Sequence, residues 1–208
     1  MKISDVQTLA MSTPWRDLTF VKVTTDEGLV GWGECRLPNR TADLLAYLNS
    51  AKRRHILGSD PFRIEDIVTR MFRDDFVRAG VVASCGIGTV EMACWDIIGK
   101  ACGQPVYRLL GGQVRDRIKA YANGWYTVER SPEEFHAAAR KVVERGYRGL
   151  KLDPFGAGWY ELETAERRLA VGIVEAVRDA VGPDVEIMIE MHGRFNPKQA
   201  IMIAAELE

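Results

Sequence analysis

Apolar and polar residues alternate along Leu18-Thr19-Phe20-Val21-Lys22-Val23-Thr24, a run rich in β-branched and aromatic side chains. Period-two alternation of that kind predicts a half-buried strand. Thr25-Asp26-Glu27-Gly28 follows as a turn, with glycine where a positive φ is wanted. Leu29-Val30-Gly31-Trp32-Gly33-Glu34 then returns as the partner strand, so residues 1–35 read as β. Gly31 and Gly33 leave one face of that strand bare, which lets another backbone approach closely. Met11-Ser12-Thr13-Pro14-Trp15-Arg16 reads as a loop from its proline and polarity. On such a loop Trp15 and Arg16 are either surface residues or ligand contacts, and the sequence leaves both open.

The periodicity then changes to that of helices over residues 41–103. Thr41 is placed to cap a helix reaching about Leu57. Asp60-Pro61 supplies an N-cap and a first-turn proline for a second helix, to about Arg78. A third runs from Ser84 to Cys102, and its apolar residues cover much of its circumference, which predicts burial on most sides. Gly103 ends it and Pro105 prevents its resumption. Asp96, inside this helix, reads as a buried hydrogen-bonding acid. His55 and His136 fall on helices without a partner pattern and read as surface residues.

Past Leu109-Leu110-Gly111-Gly112 a strand–helix rhythm sets in, about 30 residues per unit. Arg117–Asn123 reads as a strand. Ser131-Pro132-Glu133-Glu134 opens a helix that ends at Gly146. Arg148–Asp153 reads as a second strand, stopped by Pro154, and Tyr160 to about Val181 as a second helix. Val185-Glu186-Ile187-Met188-Ile189 is a third strand, and Asn196-Pro197 starts a third helix. The domain boundary is placed near Gly111-Gly112, giving residues 1–112 and 113–208. A (β/α) barrel needs about 250 residues, so the second part holds too few to close one. A three-stranded parallel sheet would also leave a hydrophobic edge. The expectation is an N-terminal part of something longer, or a fold completed by a partner.

The third strand ends in chemistry: Glu190-Met191-His192-Gly193-Arg194. Ligands gather at the carboxyl ends of strands in parallel α/β folds. Glu190 and His192 are two apart, so on a strand they would share a face. One is a hard oxygen ligand; the other moves protons near neutral pH. Lys151 and Asp153 fall at the end of the preceding strand.

Composition narrows the partners. The formal net charge of −1 gives no electrostatic footprint for nucleic acid. No apolar run in the sequence reads as the roughly 20 residues that cross a bilayer, and the N-terminus lacks the plan of a signal peptide. The four cysteines form no C-x-x-C pair, so reduced core cysteines and a cytoplasmic location are expected.

Two motifs together resemble the enolase superfamily, in its mandelate racemase/muconate lactonizing enzyme family and the sugar-acid (galactonate-like) dehydratase branch. One is the hairpin Thr25–Glu34. The more specific is Ala93-Cys94-Trp95-Asp96-Ile97-Ile98-Gly99-Lys100 followed by Gly103-Gln104-Pro105-Val106-Tyr107-Arg108-Leu109-Leu110-Gly111-Gly112. The resemblance implies an α/β protein: an α+β capping domain, then the first three βα units of a TIM-like (β/α)7β barrel. It implies one Mg2+ held by three strand-end carboxylates, of which Glu190 is the first and the others lie past residue 208. It implies that a proton α to a carboxylate is removed, that His192 protonates the departing β-hydroxyl, and that a 2-keto-3-deoxy acid results. Arg194 would pair with a substrate carboxylate or hydroxyl, or with a neighbouring acid. Trp15 and Arg16 fall where family members carry a specificity loop. A homo-oligomer is implied for the complete protein.

Two departures narrow the branch. Racemase-like members carry Lys-x-Lys where this chain has Lys151-Leu152-Asp153, so the second lysine base is replaced by an acid. The dehydratases carry Asp-x-His-Gly-Arg where this chain has glutamate first. For Lys151 and Asp153, pairing with the ligands and direct chemistry stand as alternatives. A racemase, epimerase or cycloisomerase on the same scaffold, or an inactive structural piece, stand as alternatives to the dehydratase.

Overall fold

Strands Ile3–Thr13 (β1), Arg16–Thr25 (β2) and Val30–Cys35 (β3) form an antiparallel sheet in sequential order. The structure is a computed structural model describing residues 1–77 and 80–208. The expected loop at Met11–Arg16 is strand almost throughout, because Met11 pairs with Leu18 and Thr13 with Arg16. Only Pro14-Trp15 is left as the turn. Thr13 closes it: its Oγ1 accepts from the Arg16 amide at 3.1 Å and donates to the Arg16 carbonyl at 2.7 Å.

Helices Thr41–Ala51 (α1), Ile64–Arg73 (α2) and Val81–Cys102 (α3) cover the sheet. Arg40, not Thr41, occupies the N-cap of α1; the Thr41 hydroxyl is turned to Asp17 Oδ2 at 3.3 Å. Asp60 does not cap α2. Its carboxylate accepts from the Phe62 amide at 3.0 Å and its carbonyl from the Arg63 amide at 2.9 Å. That local turn delays the helix to Ile64. The helix ends at Arg73; the expected end at Arg78 lies outside the described residues.

A π-helical turn, Lys52–Ile56, continues α1. The inserted residue shifts which side faces inward, and His55 is buried rather than at the surface. Its Nε2 sits 3.1 Å from Asp74 Oδ2. Burial pushes the imidazole pKa down, partly opposed by Asp74. His136 is half-buried, with Nε2 3.3 Å from Asp179.

α3 is the central helix of this part. It is 22 residues long and holds an 18-residue window with a mean hydropathy of 1.5, so by length and composition alone it could cross a membrane, contrary to the expectation from the sequence. Here it packs under β3 instead. A Cβ on Gly31 would sit 2.0 Å from the Ala93 carbonyl oxygen, and one on Gly33 2.0 Å from that of Thr89. Only glycine allows that approach. Asp96 holds the contact from the helix side, its Oδ2 accepting from the Trp32 amide at 2.9 Å and Lys100 Nζ at 2.7 Å. It is hydrogen-bonded as expected, though only partly buried. Val6, Val21, Val23, Leu44, Leu48, Ile67, Val90 and Ile97 pack into one core. Of the cysteines Cys94 is buried, but Cys102 at the helix end is exposed.

A short helix, Val106–Leu109 (α4), closes the first compact unit, Met1–Val114. The second unit is Arg115–Glu208. It holds helices Pro132–Glu144 (α5), Thr164–Val181 (α6) and Pro197–Leu207 (α7), and strands Gly149–Leu152 (β4) and Glu186–Ile189 (β5). β4 and β5 pair in parallel, Gly149 with Glu186 through Leu152 with Ile189. Arg117–Asn123, expected as a strand, makes a single bridge to β4, at Ala122, whose amide donates to the Gly149 carbonyl and whose carbonyl accepts from the Lys151 amide. One bridge is too little pairing to make a strand.

Ser131 caps α5 as expected, its hydroxyl accepting from the Glu134 amide at 3.3 Å. Asn196 does the same for α7 through Gln199, at 2.8 Å. α6 starts four residues later than expected, because Tyr160 adopts φ +62° and bridges to Phe195. Phe135, Val142, Leu150, Leu152, Ile173 and Val177 form the core between the strands and α5 and α6. A smaller cluster of Phe155, Leu162, Ala170 and Ile203, with Met191 and Phe195 against it, supports the loops after β4 and β5. Those loops carry the polar residues of interest.

Candidate active site

Parallel pairing puts the carboxyl ends of β4 and β5 side by side, so groups far apart in sequence meet there. The Glu190 amide donates to the Leu152 carbonyl at 2.9 Å and carries the ladder one residue past β5. The chain then turns sharply. His192 adopts φ +52° and Gly193 φ +62°, a conformation uncommon for a residue with a side chain. Glu190 Oε1 accepts from the His192 amide at 2.8 Å and secures the turn. Glu190 and His192 are therefore joined through a turn. The strand-face argument from their spacing does not describe how they meet.

Lys151 Nζ pairs with Glu190 Oε2, both side chains being about a quarter exposed. The hydrogen bond from Lys151, and next the one from the His192 amide, holds the Glu190 carboxyl down at about 2. The same pairing raises the Lys151 pKa. Lys151 is a fixed cation beside a fixed anion, poorly suited to take up a proton.

Asp153 is the hub of the second cluster. Its two oxygens accept from Arg194 Nη2 at 2.7 and 2.8 Å. Oδ1 also accepts from the Phe155 amide at 3.1 Å, and Oδ2 lies 3.1 Å from His192 Nδ1. The Asp153 and Arg194 side chains are only 16% and 13% exposed, whereas the His192 ring is 59% exposed. Arg194 further donates through Nη1 to the Gly156 carbonyl at 3.0 Å and through Nε to the Met191 carbonyl at 3.3 Å. Of the two roles open to Arg194, the geometry shows the pairing with a neighbouring acid.

Trp15 and Arg16 belong to the first unit, at the β1–β2 turn. With Asp17, Arg36, Asn39 and Thr41 they line a polar cleft of about 200 Å3. Trp125 and Tyr126 had no motif to mark them. The Trp125 indole N–H donates to the Lys151 carbonyl at 2.9 Å, and Trp125 packs edge-on against Tyr126 and Phe135. Burial, with the Asp153 charge adding to it, pushes the Tyr126 phenol up. The signal available was general: a half-buried indole seeks an acceptor.

For a Mg2+ ion the donor chemistry is right in kind but small in number. Glu190 brings hard carboxylate oxygens to a strand end, with Oε1 accepting from the His192 amide and Oε2 paired with Lys151, so a metal ion would take the place of the Lys151 ammonium. The Asp153 carboxylate is taken up by Arg194 and His192. Among the described residues no three His, Cys, Asp or Glu side chains gather as a metal site.

This capping unit followed by parallel βα units defines an α/β protein of the enolase type, and comparison with known proteins agrees. Residues 3–111 match the mandelate racemase/muconate lactonizing enzyme N-terminal domain. Residues 134–208 match the enolase C-terminal domain-like family. The chain belongs to the mandelate racemase/muconate lactonizing enzyme family of the enolase superfamily. It is 41% identical over 189 residues to a D-gluconate dehydratase of Thermoproteus tenax, covering 90% of this chain and 38% of that protein. It is 37% identical over 210 residues to a D-galactonate dehydratase of Pectobacterium atrosepticum, covering 100% of this chain and 53% of that one. Among solved structures, a mandelate racemase/muconate lactonizing enzyme from Jannaschia sp. CCS1 superposes with a TM-score of 0.90 at 32% identity, over 100% of this chain and 58% of its own. A member of the enolase superfamily from Salmonella Typhimurium gives 0.89 at 29%, over 99% and 58%. The chain spans about half the length of the curated relatives it matches.

Proposed function

We propose that this chain carries one side of the active site of a Mg2+-dependent sugar-acid dehydratase. The observation that carries the reading is the exposed His192 imidazole, held by Asp153 next to the strand-end acid Glu190. The relatives named as D-gluconate and D-galactonate dehydratases support the substrate class. The four unpaired cysteines agree with a cytoplasmic enzyme of sugar-acid catabolism.

Dehydration of a 2,3-dihydroxy acid breaks the Cα–H bond and the Cβ–O bond and releases water. The enol left behind tautomerises to a 2-keto-3-deoxy acid. The Cα proton is a very weak acid, so removing it needs strong charge stabilisation. Mg2+, when bound, supplies Lewis-acid neutralisation of the charge developing on the substrate carboxylate, and Glu190 would be one of its ligands. The work of this chain lies on the leaving-group side. Hydroxide is a poor leaving group, so a proton must reach it as the Cβ–O bond breaks. His192 can donate from Nε2 while Asp153 holds Nδ1 and stabilises the charged ring. Arg194 fixes Asp153 from behind. Asp153 stands where racemase-like members place a second lysine base, and a carboxylate clamped by arginine is no substitute for it. That supports elimination over two-base proton exchange.

The test is to incubate the full-length protein and Mg2+ with a panel of aldonates and aldarates, D-gluconate and D-galactonate included. Formation of a 2-keto acid, read as its semicarbazone absorbance, is the expected result. Failure with every acid in the panel overturns the reading.

A further inference from the structure

We propose that Arg130, which lies outside the two motifs that carry the family resemblance, is a positioning residue for the His192–Asp153 pair and acts by clamping the loop after β4. The inference rests on the dehydratase reading of the site. Arg130 precedes the α5 cap and reaches across to Pro154-Phe155-Gly156. Its Nε donates to the Pro154 carbonyl at 2.8 Å. Its Nη1 donates to Glu166 Oε2, on α6, at 2.6 Å. The guanidinium lies against Gly156, where a Cβ would come within 3.1 Å of Arg130 Nε and within 3.3 Å of its Cζ. Gly156 is at φ +55°, so a side chain there would be strained by the backbone and would crowd Arg130.

The other side of the same loop is held by Arg194, through the Gly156 carbonyl at 3.0 Å and both oxygens of Asp153. The segment 153–156 is thus gripped by two arginines, one rooted on α6 through Glu166 and one in the turn after β5. What they fix between them is the Asp153 carboxylate, 3.1 Å from His192 Nδ1. Without Arg130 the Pro154 carbonyl loses its donor, and the loop can move away from α6 and take Asp153 with it. Arg130 Nη2 is buried without a hydrogen-bond partner. A buried unpaired donor is costly, and burial of the corresponding aliphatic stem could be had from a simpler side chain. A requirement for the fork at this place accounts for an arginine that leaves one donor unmet. The Arg130 side chain is 27% exposed and Glu166 50% exposed, so the ion pair steers direction more than it stabilises the unit.

The test compares Arg130→Met, Arg130→Lys and Glu166→Gln in the full-length protein with Mg2+ and the acid it turns over. Arg130→Met is expected to lower kcat 10- to 100-fold with KM within threefold, because the ground-state substrate contacts are untouched. Arg130→Lys, which can still donate to the Pro154 carbonyl, is expected to recover at least a third of the lost activity. Glu166→Gln is expected to fall between. In the same proteins, amide exchange over residues 153–158 is expected to quicken at least tenfold in Arg130→Met, with the α5 amides unchanged. For Arg130→Met, a kcat within threefold of wild type, or exchange within twofold, overturns the proposal. Equal exchange increases in α5 would show a general loss of folding and overturn it too. The exchange readout needs no substrate. If the wild type makes no keto acid yet the loop exchange responds as stated, the dehydratase reading falls and the clamp stands.

Discussion

Asp153 carries more of this site than any other side chain. It is mostly buried and accepts from Arg194, the Phe155 amide and, through its second oxygen, faces His192. Removing one member of a buried ion pair leaves the other charge without compensation. Asp153→Ala is therefore expected to cost about 2–3 kcal/mol, read from the urea unfolding midpoint of the chain. The value sits below the roughly 3–5 kcal/mol of a fully buried pair because both groups retain some solvent contact. A loss below ~0.5 kcal/mol would show that the Arg194 pair is solvent-screened. Sequence spacing pointed to Glu190, His192 and Arg194 as one cluster, but it gave the wrong means of joining them. No periodicity encodes that His192 takes a left-handed conformation, or that Glu190 reaches forward to its amide. The pairing of Lys151 with Glu190 and of Asp153 with Arg194 was left open, because the partners sit on different strands and only register decides which meet.

At the scale of elements, caps and glycines made much of the fold legible. Ser131-Pro132 and Asn196-Pro197 start α5 and α7 as their side chains predict. The bare glycine face of β3 is filled by α3. Gly33→Ala puts a Cβ against the Thr89 carbonyl, which belongs to a helix and cannot move alone. The substitution is expected to destabilise the first unit by about 2–3 kcal/mol, lowering the melting temperature in calorimetry. The equivalent change at Gly88 on α3, where nothing lies within 4 Å and φ is ordinary, serves as the control without a clash.

Elements were misread where a side chain had an alternative partner to its expected role. Asp60 bonded within its own turn, and Thr41 turned to Asp17. The π-helical turn after α1 has no periodic signature, and it brings His55 inside. Since burial lowers the His55 pKa in the fold, folding favours the neutral ring. The corresponding stability is present above the ordinary value near 6.5 and is lost as pH falls from there through the lower folded value. A chain carrying His55→Gln is expected to show a flatter stability profile between about pH 7 and pH 5 than wild type. Parallel profiles in urea unfolding would contradict that role.

For the molecule as a whole, family membership was legible from the hairpin and from the Ala93–Gly112 motif, since both place residues that two packed elements require. The chain spans about half the length of its curated relatives, and among the described residues no three His, Cys, Asp or Glu side chains gather as a metal site. The proposed enzyme thus takes its leaving-group chemistry from His192, Asp153 and Arg194. The sharpest test separates the two halves of the reaction in the full-length protein with Mg2+ and its acid in deuterated water. His192→Asn should keep exchange of the α-proton, seen by NMR, while formation of the 2-keto-3-deoxy acid drops at least 100-fold, in the range of a lost general acid. Undiminished keto-acid formation by His192→Asn would contradict the account.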